Sequence, residues 1–138
     1  MVFMQAQVMM RNPYETYRTQ GVMTASPMEL IIMLYDALKK NLLLAKKALD
    51  NKDAATAHAK LIRAQDILGE LVNSLDMSVE ISKNLLDIYE YIIHELIEIN
   101  LKKDPSGISA VLELIEPLRE AWKEINASQK GQLSLNEG

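Results

Sequence analysis

Two histidines are the side chains best suited to hold a metal or move a proton, and neither sits in a motif that would use it. The segment HELIE, residues 94–98, starts like the zinc-protease pattern His-Glu-x-x-His, in which two histidines one helical turn apart grip the metal. Its fifth position is Glu98, so the second ligand is missing. Di-metal sites in bundle cores need Glu-x-x-His on each of two helices, with further inward carboxylates. Here Ala55 precedes His58 at that spacing and Tyr91 precedes His94, so neither half of such a site is present. Both histidines read as partly exposed helix residues, and no metal is expected.

Other catalytic constellations are missing as well. The chain has no Cys, which removes thiolate nucleophiles, disulfides and Cys-based zinc sites together. Its five Gly are scattered, and no G-x-x-x-x-G-K loop offers to cradle a phosphate. Ser residues stand at caps and turns, outside any G-x-S-x-G context. Carboxylate pairs such as Asp87 with Glu90, or Glu95 with Glu98, look like solvated helix faces, because nothing near them in sequence would bury them and separate their pKa values. No catalytic residue and no cofactor are expected, and the remaining class of function is binding.

The elements that must position these side chains are helices. Within 138 residues, enough for one domain, the apolar share of 49% is carried by Leu, Ile, Ala and Met, with one Phe and one Trp, whereas strands would want more Val, Thr and aromatics. A net charge of −4 gives no field to attract phosphate backbones, so nucleic acid is not an expected partner. The opening MVFMQAQVMM lacks a basic n-region, and no apolar run approaches the roughly 18 residues of a membrane span. Neither a cleaved signal of the usual kind nor membrane insertion is expected, and the absence of Cys suits a reducing cytoplasm.

Start and stop signals divide residues 26–126 into four helix-sized pieces. Ser26 is placed to cap the first, with Pro27 at N1 and Glu29 at N3 of a capping box. Asp53 should cap a second helix running to about 75, whose Leu61, Ala64, Leu68, Leu71 and Leu75 form a narrow seam behind Ala54, Ala55, Ala57 and Ala59. The third should end near Asn100, with Ile81, Leu85, Ile88, Ile92, Leu96 and Ile99 on one face. The fourth follows Asp104 and Pro105, and its stripe is Ile108, Val111, Ile115, Leu118, Trp122 and Ile125; Pro117 predicts a kink or a break into two helices. Residues 1–25 form an apolar arm expected to dock on or cover a groove, and 127–138 a flexible polar tail. The expected fold is an all-α, antiparallel up-down four-helix bundle.

The first helix carries more apolar surface than one core needs. Ile31, Tyr35, Leu38, Leu42, Ala45 and Leu49 make one stripe, while Leu30, Met33, Leu34, Ala37 and Leu44 point round the flank. The excess is covered by the chain's own arm, by a second copy in a homodimer, or by another protein's helix or extended segment, for which a Met-rich lining is suited.

The stretch NPYETYRTQGVMTASPMELIIMLYDAL, residues 12–38, resembles the signature of the flagellin-specific export chaperones of the FliS family. The match is carried by Asn12, Tyr14, Val22, Thr24 to Pro27, Leu30, Met33, Leu34, Tyr35 and Asp36, and the resemblance continues to about residue 125. It implies a bundle with a short extra helical element, and a cytoplasmic, non-catalytic protein that needs no cofactor. It further implies that the chain binds flagellin's C-terminal segment, prevents premature polymerisation and delivers it to the export apparatus. Export-gate or regulatory proteins are further implied partners, and a homodimer is the alternative state of the free chain. On this resemblance Tyr14 and Tyr17 belong to a removable arm beside Val22, Ser26 and Pro27 position it, and Leu30, Met33, Leu34 and Tyr35 form the groove or its rim. Two plainer roles stay open, Tyr14 as a core tyrosine and Leu34 as bundle packing. Ala37 stands where many relatives have Gly, and Pro117 interrupts a stretch they keep helical. A homodimeric helical adaptor with no flagellin client is the competing function.

Overall fold

The computed structural model describes residues 26–137, with side chains to residue 131, and these described residues form four helices. They are α1 (Pro27–Asp50), α2 (Ala54–Asn73), α3 (Glu80–Lys102) and α4 (Pro105–Glu137). Among the described residues there is no strand, and no helix is long and apolar enough to cross a membrane. The expected arm, with Tyr14, Tyr17 and Val22, lies outside the described residues.

Each helix packs on its neighbour in sequence, and α1 closes the ring on α4. Short connections force neighbours antiparallel. Cross-links agree: Asn100, near the end of α3, bonds His58, near the start of α2, at 2.9 Å. Likewise Lys39 meets Glu116 while the earlier Asp36 meets the later Arg119, so α1 and α4 run in opposite directions.

Local chemistry explains the boundaries. Asp53 accepts the Thr56 N–H at 3.1 Å and caps α2, and the Thr56 side chain, with that N–H, holds its carboxyl below the ordinary Asp value of 3.8. Lys103, at φ 54° and ψ 47°, ends α3 in the left-handed conformation. Asp104 then accepts from the Ser106 N–H at 3.0 Å at the start of α4. Close approach here requires Gly107, since a Cβ on it would lie 2.6 Å from Ile99 Cγ1. α3 differs from the other three starts. Its N-cap is Val79, whose side chain has no acceptor, while Asp76 accepts from Ser78 in the turn before it.

The core joins all four helices. Leu34, Tyr35, Leu38, Leu42 and Ala45 of α1 meet Leu61, Ala64, Ile67, Leu68 and Leu71 of α2, Tyr89, Ile92, Leu96 and Ile99 of α3, and Ile108, Val111 and Ile115 of α4. The long apolar run of α1 follows from this position: α1 packs on both α2 and α4, so it needs two apolar faces rather than one.

Four expectations need correction. Ile81 and Ile125, placed in core stripes by their spacing, are 56% and 46% exposed, so the buried face of each helix is narrower at that end than the spacing implies. Ala54, Ala55 and Ala59 also face outward. Pro117 does not split the last helix: it and Glu113 are exposed, so water can reach the carbonyl that the missing N–H leaves free. Finally, α4 does not end near 126 but is helical to Glu137; Ala127, Gln129 and Lys130 favour helix, and Gly131 weakens it without breaking it.

Candidate protein-interaction surface

The start of α1 fixes one wall of the candidate surface. Ser26 Oγ accepts the Glu29 N–H at 3.2 Å and donates to the Glu29 carboxylate at 3.3 Å, with Pro27 at the first helical position. The box is therefore tied through the Ser26 hydroxyl on both arms. From this start the helical period distributes the next turns. Leu30, Leu34 and Tyr35 turn inward and are buried, whereas Met33 stays 44% exposed. Of the described residues proposed for binding from the sequence, Pro27 and Met33 are the apolar side chains that a partner could touch without moving a helix.

Met33 and Ile32 face α4 across a groove of about 400 Å³ lined also by Glu29, Lys123, Asn126, Ala127 and Lys130. Lys130 reaches Glu29 at 3.4 Å over its end. Farther along, Arg119 Nε donates to Asp36 at 2.5 Å, and its Nη1 lies 3.2 Å from Glu116 and 3.0 Å from Glu120. Lys39 meets Glu116 at 3.1 Å and, foremost among several donors and charges, holds that carboxyl below its ordinary value. Exposed pairs of this kind add little stability, because solvent screens them. Their geometric effect is to hold the two walls of the groove in register.

Beneath, a polar knot crosses the core. The Tyr35 and Tyr89 hydroxyls lie 2.5 Å apart, and the Trp122 side chain comes near enough to the Tyr35 hydroxyl to lower its pKa a little against the effect of burial. Burial raises the Tyr35 pKa, so the phenol stays neutral and can both give and accept. The knot ties α1, α3 and α4 at one level of the bundle.

Beyond the groove, Met77, Val79 and Ile81 are exposed at the turn into α3, and Tyr91, Ile97 and Leu101 farther along it. His94 is exposed, and among the described residues no group of three or more His, Asp or Glu could hold a metal. What this surface offers is apolar contact with a sparse charged rim.

Residues 10–129 match the family described as flagellar protein FliS. The chain is 34% identical over 120 residues to the flagellar secretion chaperone FliS of Bacillus subtilis, covering 87% of this chain and 90% of that one. It is 35% identical over 117 residues to the flagellar secretion chaperone FliS of Salmonella typhimurium, covering 83% and 87%. This chain belongs to the FliS family. The match takes in the described bundle through Gln129, including Lys123, Asn126 and Ala127 of the α4 wall of the groove. The sequence does not reveal that wall, because Lys123 lies on the polar face of the expected fourth helix, while Ala127 and Lys130, four and seven residues on along the same face, sit in a stretch whose polar composition reads as a tail. FliS-family membership also weighs toward a non-enzymatic role for the chain.

Proposed function

We propose that this chain is a cytoplasmic flagellar export chaperone that binds the C-terminal segment of flagellin, keeps it from polymerising early and hands it to the secretion apparatus. What carries the proposal is the family match together with relatives named flagellar secretion chaperones. The apolar groove beside Met33 supports it as a place where an amphipathic segment could lie. The client's apolar faces, free before assembly, are an aggregation hazard, and lent surface offsets it. Ordering a flexible segment consumes part of the interaction energy, which keeps release feasible without a nucleotide. In this scheme Tyr14, Tyr17 and Val22 belong to an arm that gives way to the client, and Ser26 and Pro27 fix where the arm leaves α1. Leu30, Leu34 and Tyr35 back the groove wall from inside, and export-gate or regulatory proteins act on the loaded complex.

Titration of the full chain with a peptide of flagellin's C-terminal segment tests this by calorimetry and gel filtration. The expected result is a complex of one chain and one peptide. Met33→Asp should weaken binding by about tenfold or more while leaving helicity intact, because the side chain is exposed. If the peptide does not bind and the chain elutes as a dimer at all concentrations, the homodimeric adaptor replaces the chaperone.

A further inference from the structure

At the end of the bundle where α2 turns into α3, a second cavity of about 220 Å³ opens between Ile31, Leu75, Val79, Leu85, Tyr89 and Trp122. It is smaller than the roughly 300–1,000 Å³ typical of pockets for drug-sized ligands, and its walls are mainly apolar, so its size suits one large side chain. Two further observations bear on what enters it. Ser82 lines the cavity at only 4% exposure, the one buried polar residue among those described, and its hydroxyl has no hydrogen-bond partner among them. A hydroxyl buried in that state is costly, and it calls for an acceptor from outside. The N-terminus of α3 adjoins the same cavity with Val79 as its N-cap, so no side chain accepts from its first turn. Both features ask for the same thing, a hydrogen-bond acceptor arriving with an apolar group. Asp76 also lines the cavity, and its carboxylate disfavours an anionic acceptor.

We propose that this cavity is a socket for one large apolar side chain of the client segment, whose neutral backbone carbonyls accept from Ser82 and from the first turn of α3. The socket lies apart from the Met33 groove, with no lining residue in common. It rests on the client reading above, and gives that client a second anchor at a fixed distance from the first. Val79 and Ile81, exposed at its mouth, become the rim that excludes water once it is filled.

Trp122, the only tryptophan in the chain, lines the socket and reports on it directly. The full chain is titrated with the flagellin C-terminal peptide while tryptophan emission is followed, using a peptide without Trp. Filling the socket should shift Trp122 emission. Ser82→Leu, which fills the cavity from within, should weaken binding by about tenfold or more, and Ile81→Asp at the exposed rim should weaken it with helicity unchanged. Ser82→Ala separates a structural role from a binding one: it removes an unsatisfied hydroxyl, so it should leave the urea midpoint equal or higher while reducing affinity severalfold. An alanine scan of the peptide should then find one large apolar residue whose loss matters in the wild type and makes no further difference in Ser82→Leu. Undiminished binding by both Ser82→Leu and Ile81→Asp overturns the socket and leaves the client reading standing. Failure of the wild type to bind the peptide overturns both.

Discussion

The seam between α1 and α2 and the N-terminal end of α3 are built on opposite principles. At the seam, Ala45, Ala48, Ala57 and Ala64 are all buried, and small side chains let the two backbones approach until Leu38, Leu42, Leu61 and Leu68 fill the remaining space. α2 has a side-chain cap, and the seam has no polar group to satisfy. At the start of α3 the cap is missing, a serine is buried, Ile81 faces outward, Leu85 is only partly covered, and a cavity remains. One region is arranged for stability. The other leaves packing and hydrogen bonding incomplete in a way that a bound partner could complete.

The largest expected difference follows from truncation. Leu68→Ala, at a fully buried seam position, should destabilise the fold by about 2–5 kcal/mol, because the close-packed surroundings cannot collapse into the void. Leu85→Ala beside the cavity removes the same atoms from a half-buried site and should cost less than half as much. Urea melts of the two variants measure it, and equal losses would break the distinction between the regions.

Enlargement is the converse, with a somewhat smaller effect. Ala64→Leu drives a larger side chain into a seam with no room for it and should cost about 1–3 kcal/mol. Ser82→Leu adds similar bulk next to open volume and removes an unsatisfied hydroxyl, so its melting midpoint should stay near that of the wild type. A loss as large as that of Ala64→Leu would show that the cavity cannot accept the side chain.

The seam was far more legible in the sequence than the α3 end, for a physical reason. Capping residues and apolar periods are local: Ser26 with Glu29, Asp53 with Thr56, and the run Leu61, Ala64, Leu68, Leu71 each express their role within a few residues. Periodicity reports which face a residue occupies and not whether a neighbouring helix extends far enough to cover it. Hence spacing places Ile81 and Ile125 in core stripes, yet both are exposed. Spacing favours Ile88 over Tyr89, whose partner in the core is Tyr35, 54 residues away. Ser82 gave no signal, since a lone serine near a helix start reads as capping chemistry until the structure shows it inside.

Supplying the missing cap would sharpen the comparison further. Val79→Ser places a hydroxyl where it can accept from the first turn of α3, and should stabilise the fold by about 0.5–2 kcal/mol. The same substitution occupies donors that the socket offers to a client, so peptide affinity should fall while stability rises. Opposite signs from one substitution distinguish an unfinished end that serves binding from one that is merely poorly capped. If both quantities rise, the uncapped donors have no part in binding.

Acid should probe the same asymmetry with the smallest effect. Asp53 has a depressed carboxyl pKa because it accepts from Thr56 at the start of α2, and Asp104 likewise because it accepts from Ser106 at the start of α4. A carboxyl whose folded pKa lies below its unfolded one stabilises the native state fully above the unfolded value, and that stabilisation is lost as pH falls through the folded value. The window therefore opens near the ordinary Asp value of 3.8 and extends downward. Asparagine caps about as well as aspartate but does not titrate, so Asp53→Asn should match the wild type at pH 7 and lose less stability between about pH 4 and pH 2. Amide exchange across that range should show acid loosening the first turn of α2 in the wild type and not in Asp53→Asn. The first turn of α3 has no capping carboxylate to protonate, only Glu80 within the turn, so its protection should change less with acid than that of α2. An equal acid-dependent loss there would mean that Asp76, whose depressed carboxyl holds Ser78, secures that end through the turn after all.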